Sequence, residues 1–307
     1  LLHHIGSGKE WDMSRKRGGL RLLPPFGRQS AGRGDYVSVI DALLAVEGYI
    51  RDIKQDYIYL VRGSLAVNLD LTAVMATHLK SGADVTAVCT PKTPEGTHHR
   101  FVTDENGRAT QLLFRRSGPG PGYAALEAYI MSRDTLLDLL ERCDSAMNRR
   151  FHRDGLGGLM EAGGTINVYM HEGYAVNIAD VTGYYEASMD MLDAKNRREL
   201  FPEDRPVHTK GRADVSTYYG DGAVVKNCLV ADGCFIEGEL ENCVIFRGVR
   251  IEQGAVLKNC IIMQDTIIGP GATLNYIISD KDVTVDGGVT LAGSPKLPLV
   301  VPKGSKI

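Results

Sequence analysis

From Val224 onward the chain repeats itself, and the period of that repeat restricts the fold more than any other feature. Asn227-Cys228-Leu229-Val230, Asn242-Cys243-Val244-Ile245, Asn259-Cys260-Ile261-Ile262 and Asn275-Tyr276-Ile277-Ile278 recur at intervals of roughly 15–17 residues. Within each repeat, apolar residues return about every six positions: Ile245, Ile251, Leu257, then Ile262, Ile268, Leu274. A six-residue period is neither that of a helix nor the alternation of a strand. It fits a triangular coil in which each hexad forms one flat side and three sides make a turn of roughly 18 residues. Coils of this kind bury their apolar residues by stacking on one another. The asparagine before each apolar pair suits a corner, because Asn tolerates the left-handed backbone conformation. Hexad coils build active sites in acyltransferases, but that chemistry needs a histidine projecting from the coil, and Val224–Ile307 contains none.

The preceding ~200 residues alternate β-branched runs with helical patterns. Tyr57-Ile58-Tyr59-Leu60-Val61 is a continuous apolar run between Asp56 and Gly63, suited to a strand covered on both faces. Before it, Ile40, Leu43, Leu44, Val46 and Ile50 place a helical face on Val39 to Ile53. After it come a helix from about Asp70 to Leu79 and a strand at Val85-Thr86-Ala87-Val88-Cys89. This order predicts a mostly parallel sheet covered by helices. A further helix, Ser132 to Cys143, opens with a Ser132 cap and carries Leu136, Leu137 and Leu140 on one side. Ser117-Gly118-Pro119-Gly120-Pro121-Gly122 reads as a loop, and Lys195 to Tyr219 as an extended linker.

The 307 residues allow two domains, and the net charge of −3 gives nucleic-acid binding no compositional support. No apolar run approaches the ~18 residues a membrane helix needs. The six cysteines contain no C-x-x-C pair, which favours small buried thiols in a reducing cytoplasm over zinc ligands. Gly6-Ser7-Gly8-Lys9 lacks the spacing of a nucleotide phosphate loop, and Glu10 follows the lysine. Lys9, Arg15, Lys16, Arg17 and Arg21 form a locally basic segment, a candidate contact for a phosphorylated effector. No His set with metal spacing stands out, and His98-His99 read as exposed on a polar loop. The chain opens on Leu1, as though it begins inside a domain whose first segment is absent.

Leu1-Leu2-His3-His4-Ile5-Gly6, Trp11 and Leu22-Leu23-Pro24-Pro25 resemble the ADP-glucose pyrophosphorylase stretch that follows the first nucleotide-binding strands. Gly82-Ala83-Asp84-Val85-Thr86 is similar to the start of a later strand segment. Glu172-Gly173-Tyr174 with Tyr184-Tyr185-Glu186-Ala187 is similar to the region closing the sugar site. The most specific likeness lies in Val244-Ile245-Phe246-Arg247-Gly248-Val249, Ile262-Met263-Gln264-Asp265-Thr266 and Ile268-Gly269-Pro270-Gly271-Ala272. The resemblance implies an α/β fold: a Rossmann-like nucleotidyltransferase domain, incomplete at its N-terminus, followed by a left-handed parallel β-helix of hexapeptide repeats. On this reading the first domain is 1–205, a linker is 206–222 and the β-helix is 223–307.

The chain also departs from what the resemblance implies. Catalytic members open with a glycine-rich loop that nothing here matches. Their strand corresponding to Tyr57–Val61 ends in Gly-Asp, whose carboxylate holds magnesium; here it ends Gly63-Ser64. The second metal acid has Asn177 in its place, with Asp180 three residues on. The Glu-Lys-Pro that contacts the sugar phosphate reads Arg115-Arg116-Ser117, and the nucleotide-side Tyr-Arg-Gly-Thr-Ala-Asp-Ala reads Tyr36-Val37-Ser38-Val39-Ile40-Asp41-Ala42. Transfer between ATP and a sugar phosphate brings polyanions together and requires Mg²⁺ fixed by hard, charged ligands.

The resemblance thus implies a non-catalytic regulatory and assembly subunit, like GlgD-type chains, with no catalytic residues and no metal or cofactor of its own. Its expected partner is a catalytic glucose-1-phosphate adenylyltransferase subunit in a cytoplasmic heterotetramer, with a phosphorylated metabolite as effector and neither nucleic acid nor membrane. The alternative is an active, Mg²⁺-dependent glucose-1-phosphate adenylyltransferase with relocated ligands.

Overall fold

A computed structural model describes residues 2–15, 18–23, 38–92, 99–114, 120–145, 150–209 and 214–307. It divides into two compact units, Leu1–Asn177 and Ile178–Ile307. In the first unit the helices are α1 (Leu2–Ile5), α2 (Val39–Ala45), α3 (Glu47–Asp52), α4 (Leu71–Ser81), α5 (Arg133–Ser145) and α6 (Gly158–Glu161). Its strands are β1 (Tyr57–Val61), β2 (Leu65–Val67), β3 (Val85–Thr90), β4 (His99–Thr103), β5 (Ala109–Phe114), β6 (Tyr123–Ser132), β7 (Ile166–Met170) and β8 (Ala175–Asn177).

The helices start where side chains can satisfy their unpaired N–H groups. Ser38 Oγ accepts from Asp41 N, Asp70 Oδ1 from Ala73 N, and Ser132 Oγ from Thr135 N. The helical face expected over Val39–Ile53 is two helices, because the chain turns at Val46 (φ −114°, ψ 13°). Each helix still delivers its apolar residue to the core, Ile40 and Ile50.

The sheet order is β5-β4-β6-β3-β7, with β1 also on β6. Every residue of β3 is buried, as a central strand requires. Alternation sorts β3 and β6 onto two faces. Val85, Ala87, Cys89, Tyr129 and Met131 join Leu136, Leu139 and Leu140 of α5, whereas Val88, Ala128 and Ile130 join Val74 of α4. The expectation of a mostly parallel sheet is corrected here. Among the described strands of this sheet β3–β7 is parallel, while β1–β6, β3–β6, β4–β5 and β4–β6 are antiparallel. Strands β1 and β3 do run the same way, as the intervening α4 implies, but the long β6 occupies the slot between them.

The second unit contains α7 (Val181–Asp190), α8 (Ala194–Leu200) and a parallel β-solenoid of three five-stranded sheets. One sheet aligns Ile236, Ile251, Ile268 and Val285; another aligns Leu240, Leu257, Leu274 and Leu291. The hexad residues Ile245, Ile251, Leu257, Ile262, Ile268 and Leu274 are all buried, confirming the coil period. Asn227, Asn242 and Asn259 have φ of 49°, 53° and 52°, the left-handed corner expected of them. Their side-chain amides form a ladder: Asn227 Nδ2 donates to Asn242 Oδ1 (2.7 Å), Asn242 Nδ2 to Asn259 Oδ1 (3.3 Å) and Asn259 Nδ2 to Asn275 Oδ1 (3.1 Å). The fourth corner differs by one residue. Asn275 lies in the strand paired with Lys258, and Tyr276 takes the positive φ of 55°.

Helix α7 belongs to this unit through Tyr185, which packs on Ile261 and Ile278 and donates its hydroxyl to Asn259 O at 2.9 Å. Within the stretch read as a linker, Tyr218-Tyr219 already pair in register with Phe235-Ile236, while residues 210–213 lie outside the described residues.

Candidate functional site

The turn after β1 carries Ser64, and the last residue of β8 is Asn177. The antiparallel ladder of β2 and β8 sets Leu65 opposite Asn177, which brings Ser64 beside it. Ser64 Oγ donates to Asn177 Oδ1 at 2.6 Å, with both residues half-buried. Two positions singled out separately in the sequence therefore form one pair. This pair offers a hydroxyl already committed as a donor and a neutral amide. A divalent ion that selects hard oxygen ligands needs carboxylate charge, and neither group supplies it, so the pair does not fit Mg²⁺. Asp180, the nearest carboxylate downstream in sequence, is the cap of α7, where its Oδ1 accepts from Gly183 N at 2.8 Å.

Of the basic cluster, Lys9, Arg15 and Arg21 are exposed, and Arg15 is ion-paired with Asp12. Lys16, Arg17 and Arg116 lie outside the described residues, as do Tyr36 and Val37 of the nucleotide-side stretch. Ser38 of that stretch serves as the cap of α2. Cys89 matches the reading of the cysteines as buried thiols: burial pushes its pKa up, with the Arg100 guanidinium opposing, so thiolate chemistry is suppressed there. Cys228 is half-buried rather than enclosed.

His99 corrects an expectation. It is not exposed on a loop but is 2% accessible at the head of β4, where its Nε2 lies 3.0 Å from Tyr129 Oη. The sequence hides this because His99 opens the strand that Arg100-Phe101 continue, and what covers it, Tyr129 and His152, lies far along the chain. His152, on the π-helical segment Phe151–Gly157, lies against it with ring centroids 3.9 Å apart. Neither was legible as a site residue, since their partners are far off in sequence.

A mixed sheet layered between helices in the first unit and a parallel β-solenoid in the second define a two-part chain of the class that joins an α/β domain to a solenoid. Comparison with known proteins is consistent with both parts. Residues 215–296 match the family described as GlmU-like, C-terminal hexapeptide. Over 263 residues the chain is 32% identical to the glycogen biosynthesis protein GlgD of Bacillus subtilis (strain 168), covering 84% of this chain and 65% of that protein. It is 29% identical to the glucose-1-phosphate adenylyltransferase of Geobacillus stearothermophilus (84% and 67% covered) and 26% identical to that of Clostridium novyi (strain NT) (84% and 68% covered). The chain is a homologue of the glucose-1-phosphate adenylyltransferases and of GlgD, and it spans about two thirds of the length of these relatives. Among the described residues no helix is long and apolar enough to cross a membrane.

Proposed function

We propose that this chain is a non-catalytic regulatory and assembly subunit of a glucose-1-phosphate adenylyltransferase in glycogen (α-glucan) biosynthesis, working in the cytoplasm beside a catalytic subunit in a heterotetramer. The observation that carries the reading is the Ser64–Asn177 hydrogen bond. Without negative charge at either position there is nothing to hold Mg²⁺ between two phosphates, and in-line displacement loses its principal source of charge neutralisation. Asp180 is engaged as a helix cap and makes a poor replacement. What a family member retains without that chemistry is surface: contacts with partner subunits and an effector site. A phosphorylated effector shifts activity if it binds one state of the assembly better than the other, and the exposed Lys9, Arg15 and Arg21 offer the charge for it, with Lys16 and Arg17 beside them in sequence.

Co-expression with a catalytic subunit tests this. The two chains are expected to co-purify, and the effector response of the complex is expected to differ from that of the catalytic subunit alone. Absence of co-purification together with unchanged activity and effector response refutes the reading. Because most of the similar relatives carry the enzyme's name, the rival is an active adenylyltransferase; it requires Mg²⁺-dependent ADP-glucose formation by this chain unaided.

A further inference from the structure

Away from the Ser64–Asn177 pair, three side chains converge in the first unit. His99, Glu127 and His152 present one ligand atom each, all within 4.8 Å of one another. They come from three elements: the head of β4, the middle of β6 and the π-helical turn. They line a cavity of about 360 Å³ whose remaining wall includes Leu60, Tyr129 and Phe151.

The backbone is distorted where these residues are presented. Against β3, β6 loses register: Val88 faces Ala128 but Cys89 faces Ala125, leaving Leu126 and Glu127 as a bulge. Glu127 sits there with φ 55°, a left-handed conformation that costs a residue with a Cβ. Bulges re-aim side chains next to sites, and single π-helical turns recur at them.

From this arrangement we infer that His99, Glu127 and His152 form a binding site for one divalent transition ion of the Zn²⁺ type. Two imidazoles and a carboxylate are the donor set such ions select, whereas Mg²⁺ prefers oxygen alone. Bonds of about 2.0–2.2 Å in a tetrahedral site place ligand atoms roughly 3.3–3.6 Å apart. Outer groups that orient ligands are also in place. Tyr129 Oη lies 3.0 Å from His99 Nε2, and Arg62 Nη1 donates to Glu127 Oε2 at 2.8 Å, so both side chains are held in orientation. Three protein ligands leave a fourth position facing the cavity. The inference is independent of whether the chain catalyses adenylyl transfer.

The test uses untagged protein stripped with chelator, titrated with Zn²⁺ by calorimetry and with Co²⁺ by its visible absorption. Wild type is expected to bind one equivalent and to show the intense bands of a low-symmetry, four-coordinate Co²⁺ site. His152→Ala and Glu127→Gly are each expected to weaken binding at least about 100-fold, beyond the 10–100-fold loss typical of outer-shell changes. Glycine suits the left-handed position but its introduction also removes the Arg62 ion pair, so both variants are melted in chelator beside wild type to confirm that they are folded. Failure of wild type to bind, or binding that both variants retain, overturns the assignment.

Discussion

Restoring charge at the Ser64–Asn177 pair gives a prediction that follows directly from its geometry. In the double variant Ser64→Asp/Asn177→Asp, two carboxylates replace groups whose oxygens lie 2.6 Å apart. Even with their oxygens relaxed to about 4 Å, the repulsion lies between about 1 kcal/mol in water and about 4 kcal/mol at an effective dielectric of 20. Half-burial places the site between those limits. In chelator the unit should therefore melt lower by roughly 2–4 °C per kcal/mol. Mg²⁺ is expected to reverse the loss, because a ligand that binds only the folded state at 100 times its Kd adds about 2.7 kcal/mol. The assay is thermal unfolding of wild type, both single variants and the double variant, each with and without Mg²⁺. Wild type should show no Mg²⁺-dependent shift, the single variants a small one and the double variant the largest. A double variant as indifferent to Mg²⁺ as wild type would refute the assignment of these residues to the metal-acid positions.

Further predictions concern stability. Leu257→Ala empties a fully buried position in the solenoid and should cost about 2–5 kcal/mol, read by chemical denaturation. Asn242 has φ 53° and two ladder hydrogen bonds, so Asn242→Ala should cost about 2 kcal/mol and Asn242→Gly roughly 1 kcal/mol less, because glycine keeps the corner relaxed. An equal effect of the two substitutions would remove backbone strain from the explanation. His78, buried beside Thr86, has its pKa lowered by burial, with the Asp84 charge opposing. The unfolded chain then binds more protons, so stability is complete above the unfolded value of about 6.5 and declines as pH falls through it. Unfolding free energies between pH 8 and 5 should show that decline in wild type and a shallower one in His78→Asn.

The solenoid was legible because its period is local: a hexad repeat names its own buried residues, and asparagine names its corners. Only Tyr276 slipped, since the last repeat carries its asparagine one residue early. Caps such as Asp70 and Ser132 were equally readable, being set by neighbours three residues away. The Ser64–Asn177 pair was found by resemblance and then joined by a ladder that spacing alone does not specify. Long-range events stayed hidden. The insertion of β6 between β1 and β3 is decided by sheet pairing across the whole unit, and no periodicity records it. The bulge at Leu126-Glu127 and the burial of His99 follow from that pairing, so the His99–Glu127–His152 convergence could not be seen from composition or motif spacing.

The proposed non-catalytic role requires that this chain perform no adenylyl transfer by itself. The direct measurement is formation of ADP-glucose and diphosphate from ATP and glucose 1-phosphate by the purified protein alone, with saturating Mg²⁺. Product at the background rate is the predicted result. Turnover in the ordinary enzymatic range of about 1 s⁻¹ or faster, dependent on Mg²⁺, would contradict it.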